Sequence, residues 1–162
     1  MTATATQETQ GWPLGWVWNE CERRSSCRVA ISGEVPRPSM PRFRDPELSE
    51  EELCSLMGDF VVAAQRGDHK AQGWPDTAYG TTKIGVTVLS RIQARTVTQT
   101  RPNDGILLNA CCPGWVRTDM AGPNAPKSPE EGAETPVYLA LLPQGAKGPH
   151  GQLVWDKMVQ EW

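Results

Sequence analysis

The chain has 162 residues, 38% of them hydrophobic and 22% charged, and 16 Lys and Arg against 19 Asp and Glu leave a net charge of −3. That length fits a single domain, and the scattered basic residues make neither a nucleic-acid footprint nor a polybasic membrane patch. No apolar run approaches the roughly 18 residues of a membrane span, and Met1–Glu8 lacks the basic and apolar regions of a secretory signal.

The five cysteines, Cys21, Cys27, Cys54, Cys111 and Cys112, are irregularly spaced. They give neither a disulfide framework nor a Cys-x-x-Cys metal pattern. No metal site is expected, and a reducing cytoplasm is the expected compartment.

Residues 1–44 show little organisation. Trp12, Trp16 and Trp18 lie among Gly, Pro, Asn and charged residues, with no sustained period of 3.6 or 2. Pro36, Pro38 and Pro41 then crowd a short span, so irregular or disordered chain is expected. The best strand candidate there is Arg28–Ser32.

From Asp45 to Trp162 the signals agree with one another. Ser49 and Glu52 form a capping box, and Leu53, Leu56, Met57, Phe60, Val61 and Ala64 follow at helical spacing. Gly67 ends that helix, expected from Glu50 to Arg66. Gly73-Trp74-Pro75-Asp76 is a turn, after which a helix runs from about Thr77 into the upper 90s with Ile84, Val88 and Ile92 as its apolar stripe. Ile106–Cys112 is a largely apolar run suited to a buried parallel strand, closed by Pro113-Gly114. Ser128, Pro129 and Glu131 cap a further helix expected to reach Leu142, with Pro136 kinking or restarting it. Gly151–Trp155 is the last expected strand. Alternating helix and strand is the signature of an α/β fold.

Tyr79 and Lys83 stand four residues apart in the long helix, so a phenol and an ammonium share one face, one turn apart. A free phenol has a pKa of about 10 and needs help to trade protons near neutrality. A cation beside it favours the phenolate and supplies that help. The pair is a candidate general acid for carbonyl reduction.

The runs Ala78–Arg91, Leu107–Met120 and Glu130–Pro143 resemble the carboxyl half of the monomeric NADPH-dependent carbonyl reductases of animals, within the short-chain dehydrogenase/reductase family. The resemblance covers roughly Pro46 to Trp162. It implies an α/β fold, a partial Rossmann-like doubly wound parallel sheet lacking its first βαβ half. It also implies that Tyr79 hydrogen-bonds the substrate carbonyl and delivers a proton while NADPH delivers hydride, and that Lys83 bonds the nicotinamide ribose and lowers the tyrosine pKa. Pro113, Gly114, Val116, Arg117 and Thr118 correspond to the loop over the nicotinamide end of the cofactor. Pro-Gly at a strand's carboxyl end suits that place, because open α/β sheets bind ligands there. Gly80 and Trp115 join Tyr79 at the implied substrate pocket. Cys111 and Cys112 are read as buried, inert thiols. By the same resemblance Glu50–Arg66 covers the surface that related enzymes use for assembly, so a monomer is expected.

Other parts of the family pattern have no counterpart. The chain contains no Gly-x-x-x-Gly-x-Gly, the turn whose N–H groups hold the pyrophosphate. Ser32 ends the Arg28–Ser32 candidate, yet neither its local sequence nor its distance from Tyr79 matches the family's catalytic serine. The abrupt change near Asp45 suggests that alternative transcription, splicing or a faulty gene model supplied residues 1–44. Two functions are therefore expected to compete. One is a truncated carbonyl reductase for ketones, aldehydes and quinones, inactive alone. The other is a non-enzymatic fragment that binds a partner through its incomplete sheet and its Trp-rich amino-terminal segment.

Overall fold

The computed structural model describes residues 40–161. The candidate strand Arg28–Ser32 and the tryptophans at 12, 16 and 18 lie outside the described residues. In chain order the elements are α1 (Met40–Arg44), α2 (Glu50–Arg66), α3 (Ala78–Thr100), β1 (Ala110–Cys112), α4 (Pro129–Ala140), β2 (Leu153–Trp155) and β3 (Met158–Gln160).

Helix α1 stands upstream of Asp45, in the stretch where the sequence suggests irregular chain. Phe43 anchors it: the ring is 1% exposed and meets Trp74 edge-on at 6.3 Å. The capping box of α2 forms as expected, with Glu52 N–H donating to Ser49 Oγ and Ser49 N–H to Glu52 Oε2. Gly67 closes that helix in the left-handed region, its N–H reaching the carbonyls of Ala63 and Ala64. The buried face of α2 consists of Leu53, Leu56, Phe60 and Ala63. Val61 is half exposed and Ala64 exposed, so the stripe is narrower than the apolar spacing suggests and runs through Ala63.

α2 lies against α3, where Gly85 permits close approach: a Cβ there would sit 3.0 Å from the Met57 sulfur. Ile84, Val88 and Ile92 form the apolar stripe of α3 as expected, within the same core as Phe60 and Trp74. The Arg95 guanidinium ties α3 to the segment before α2 by donating to the carbonyls of Pro46 and Leu48.

The sheet has the order β1-β2-β3. β1 pairs parallel with β2, Cys111 opposite Val154. β2 turns back antiparallel on β3, Val154 opposite Val159. The sheet is therefore mixed rather than purely parallel, and β3 has no counterpart among the expected strands.

Strand β1 is also shorter than Ile106–Cys112. Ahead of it, Gly151 N–H still bonds the Leu108 carbonyl, and side chains supply the remaining links. His150 Nδ1 accepts from Leu108 N–H, and Asn109 bonds both the Pro149 carbonyl and Gln152 N–H. α4 stops at Ala140, short of Leu142, and continues through Pro136 as one element instead of restarting.

Candidate functional site

Residues 67–77 set where Tyr79 begins. Lys70 Nζ meets Asp76 at 2.5 Å, His69 lies 3.6 Å from the same carboxylate, and Trp74 N–H bonds the His69 carbonyl at 2.8 Å. The Lys70 ammonium holds the Asp76 carboxyl below its ordinary pKa. Thr77 then caps α3, its hydroxyl accepting from Gly80 N–H at 3.4 Å while its carbonyl takes the Thr81 hydroxyl at 3.1 Å. The first turn is thereby pinned, with Gly80 buried and Tyr79 and Lys83 half-buried. Lys83 Nζ sits over the Tyr79 ring, 5.3 Å from its centroid, within cation–π range.

The second part of the site grows from the carboxyl end of β1. Cys111 and Cys112 are buried there. Burial, reinforced by the neighbouring Cys112, pushes the Cys111 thiol up to about 11. Burial also raises Cys112, which feels Lys83, Lys127 and Asp156 through space. Lys83, on the helix, and the end of β1 thus share one electrostatic neighbourhood. Pro113 and Gly114 follow, both buried, and Gly114 turns the chain with φ +84°.

Beyond that turn the loop folds back on itself. Lys127 N–H bonds the Trp115 carbonyl at 3.2 Å and Arg117 N–H bonds the Lys127 carbonyl at 2.9 Å. The Arg117 guanidinium donates to the carbonyls of Ala125 and Pro126, so this exposed side chain staples the loop to the segment before Lys127. Thr118 Oγ1 accepts from Ala121 N–H at 3.2 Å, which leaves the hydroxyl proton to donate elsewhere. Val116 packs against Gly132 on α4, where a Cβ would come within 2.5 Å of Val116 Cγ2. Trp115 is half-buried beside the turn.

Tyr79, Gly80 and Lys83 therefore belong to one helix start, and Pro113, Gly114, Trp115, Val116, Arg117 and Thr118 to one closed loop. Two further residues at this end escaped the sequence reading. Lys127 Nζ contacts Asp156 Oδ1 at 2.5 Å, although 29 residues separate them. The available signal was the two-residue spacing of Asp156-Lys157 between two apolar runs, which marks a tight hairpin.

As a fit to a dinucleotide, the residues expected to hold it account for one end only. The buried Pro113-Gly114 turn closes β1 at its carboxyl end, the end at which open α/β sheets bind ligands. The sequence supplies no glycine-rich turn for a pyrophosphate.

No family model matches the chain. Among curated proteins it is 67% identical over 121 residues to carbonyl reductase (NADPH) 1 of Oryctolagus cuniculus and 65% identical over the same length to that of Homo sapiens. Each match covers 75% of this chain and 44% of the relative. The Bos taurus protein is 63% identical over 126 residues, 78% of this chain and 46% of its own. The chain thus spans less than half the length of these relatives. Among solved structures, salutaridine reductase from Papaver somniferum gives a TM-score of 0.67 at 26% identity, over 82% of this chain and 43% of that one. By these likenesses the chain belongs to the short-chain dehydrogenase/reductase family, as a homologue of the carboxyl-terminal part of the NADPH carbonyl reductases.

Proposed function

We propose that residues 45–162 carry the proton-donating part of a carbonyl-reductase site whose substrates are ketones, aldehydes and quinones. The observation that carries this reading is Lys83 Nζ poised 5.3 Å from the centre of the Tyr79 ring on a helix start beside the carboxyl end of β1. Tyr79 donates its phenolic proton to the substrate carbonyl oxygen. Lys83 stabilises the phenolate left behind, because an adjacent cation favours the charged form. Gly80 and Trp115 shape the space around the carbonyl. Tyr79, Lys83 and the loop of Pro113, Gly114, Val116, Arg117 and Thr118 would hold the nicotinamide end of NADPH, which supplies the hydride when bound.

On this reading the chain by itself does not turn over. The phosphates of the nucleotide have no glycine-rich cradle in the sequence, and losing a single oxyanion-type donor already costs on the order of 3 kcal/mol of transition-state stabilisation. The unpaired thiols Cys54, Cys111 and Cys112 support a reducing, cytoplasmic setting. The family likeness supports a monomer.

The purified chain mixed with NADPH and a quinone tests the proposal. We expect no protein-dependent loss of nicotinamide absorbance. Robust turnover would overturn the inactivity proposed for the chain alone.

One observation favours a second, non-enzymatic reading. β1 pairs only with β2 among the described residues, so its other edge has no strand partner there. Such an edge is a template for another chain. Co-purification of a stable partner that protects β1 from hydrogen exchange would favour this reading over the first.

A further inference from the structure

The turn between β2 and β3 reaches toward the candidate site from the far end of the chain. Asp156 and Lys157 both lie in the left-handed region, with φ of 49° and 61°, which side-chain-bearing residues adopt at a cost. Each is held from a different direction. Lys157 Nζ contacts Glu134 Oε2 at 2.8 Å, and Lys157 N–H bonds Thr135 Oγ1 at 3.3 Å. Both partners lie on α4, and Thr135 is buried. Asp156 faces the other way and takes the Lys127 ammonium at 2.5 Å.

Lys127 in turn is built into the loop. Its backbone is bonded to Trp115 and Arg117 on both sides. Its Cδ and Cε lie 3.1 Å from where a Cβ at Gly114 would stand, and its Nζ 3.3 Å. The lysine stem is therefore the wall against which the Pro113-Gly114 turn rests. The strained turn, the ion pair and the packed stem form one continuous path from hairpin to loop.

We infer that Lys127 is a positioning residue for the Pro113–Thr118 loop, and that Asp156 holds it there by clamping its ammonium. The inference rests on the reading of that loop as the nicotinamide end of a reductase site. Without Asp156 the stem leaves Gly114, and the loop loses its fixed edge while the helical core stays folded. Charge alone does not explain the arrangement, because most of the contact with Gly114 is made by methylenes.

Hydrogen exchange on the nucleotide-free full chain tests this, in the wild type and in Asp156→Asn, Lys127→Met and Lys127→Arg. In Asp156→Asn and Lys127→Met we expect the amides of residues 114–118 to exchange about threefold faster or more, with residues 50–66 of α2 unchanged. Lys127→Arg keeps both the stem and the cation, and it returns the loop to within about twofold of wild type. Unaltered loop exchange in both Asp156→Asn and Lys127→Met would overturn the inference. So would equal acceleration in loop and α2, which marks general destabilisation, or an arginine variant as loose as the methionine one. These outcomes do not depend on whether Tyr79 donates a proton. Failure of the reductase reading appears only in the nucleotide assays.

Discussion

A side chain at position 114 would meet two obstacles at once. The backbone there has φ +84°, and the space a Cβ would fill is already lined by the Lys127 stem. Left-handed backbone costs a non-glycine residue roughly 1–2 kcal/mol. Gly114→Ala should lower unfolding stability by about that amount in a urea titration, and an unchanged midpoint would mean that the turn is not held in this conformation. The adjacent thiols make a separate prediction. Cys111 is pushed up to about 11, mainly by burial, so it carries almost no thiolate near neutrality. Alkylation at pH 7.5 followed by peptide mapping should label the exposed Cys54 and spare Cys111 and Cys112; prompt labelling of the pair would contradict their burial. The fold favours the protonated thiol of Cys111. Its contribution to stability is therefore complete below the ordinary thiol range and is lost as the pH rises toward about 11.

Among the elements, α2 and α3 carry most of the apolar core. Phe60 is 5% exposed and packs edge-on against Trp74 at 5.5 Å. Phe60→Ala removes that ring from between α2 and the turn before α3 and should cost about 3–5 kcal/mol. Denaturation followed by tryptophan fluorescence checks it, and a loss below 1 kcal/mol would show that the turn is not seated on α2. Such packing was legible in part. The box of Ser49 and Glu52, the Gly67 stop and the Ile84, Val88, Ile92 stripe are local patterns that a helix must obey. Val61 and Ala64 looked equally apolar, but which edge of a stripe is covered depends on the neighbouring helix. The strand ends were less legible because His150 and Asn109 add side-chain bonds beside the backbone pairing, to partners 40 or more residues away. Hairpin β2–β3 depends on Asp156 and Lys157 taking positive φ, which few non-glycine residues announce in sequence.

At the scale of the whole molecule, the site was legible where its residues are neighbours in sequence and illegible where they are not. Tyr79 and Lys83 are one helical turn apart, and Pro113–Thr118 is one loop, so spacing and resemblance name both as candidates. Lys127 and Asp156 come together only because α4 and the β2–β3 turn fold over the end of β1; spacing marks the hairpin that carries Asp156, but no local pattern marks its pairing with Lys127. The same folding brings Lys83 within electrostatic reach of Cys112 and joins helix start to strand end. On the proposed reading, what the chain offers a nucleotide is therefore concentrated at one end. The proposed reductase role turns on that asymmetry: the residues proposed to donate the proton share one helix start, while the sequence provides no glycine-rich turn for phosphate. A ligand at free concentration L that binds the folded state stabilises it by RT ln(1 + L/Kd), so the melting temperature keeps rising with ligand concentration. The most direct test is a thermal melt of the purified chain with increasing NADPH. A single cooperative transition that NADPH leaves in place is the expected result. An upward shift that grows with NADPH concentration would contradict the account, because it would mean that the chain holds the nucleotide without a glycine-rich cradle.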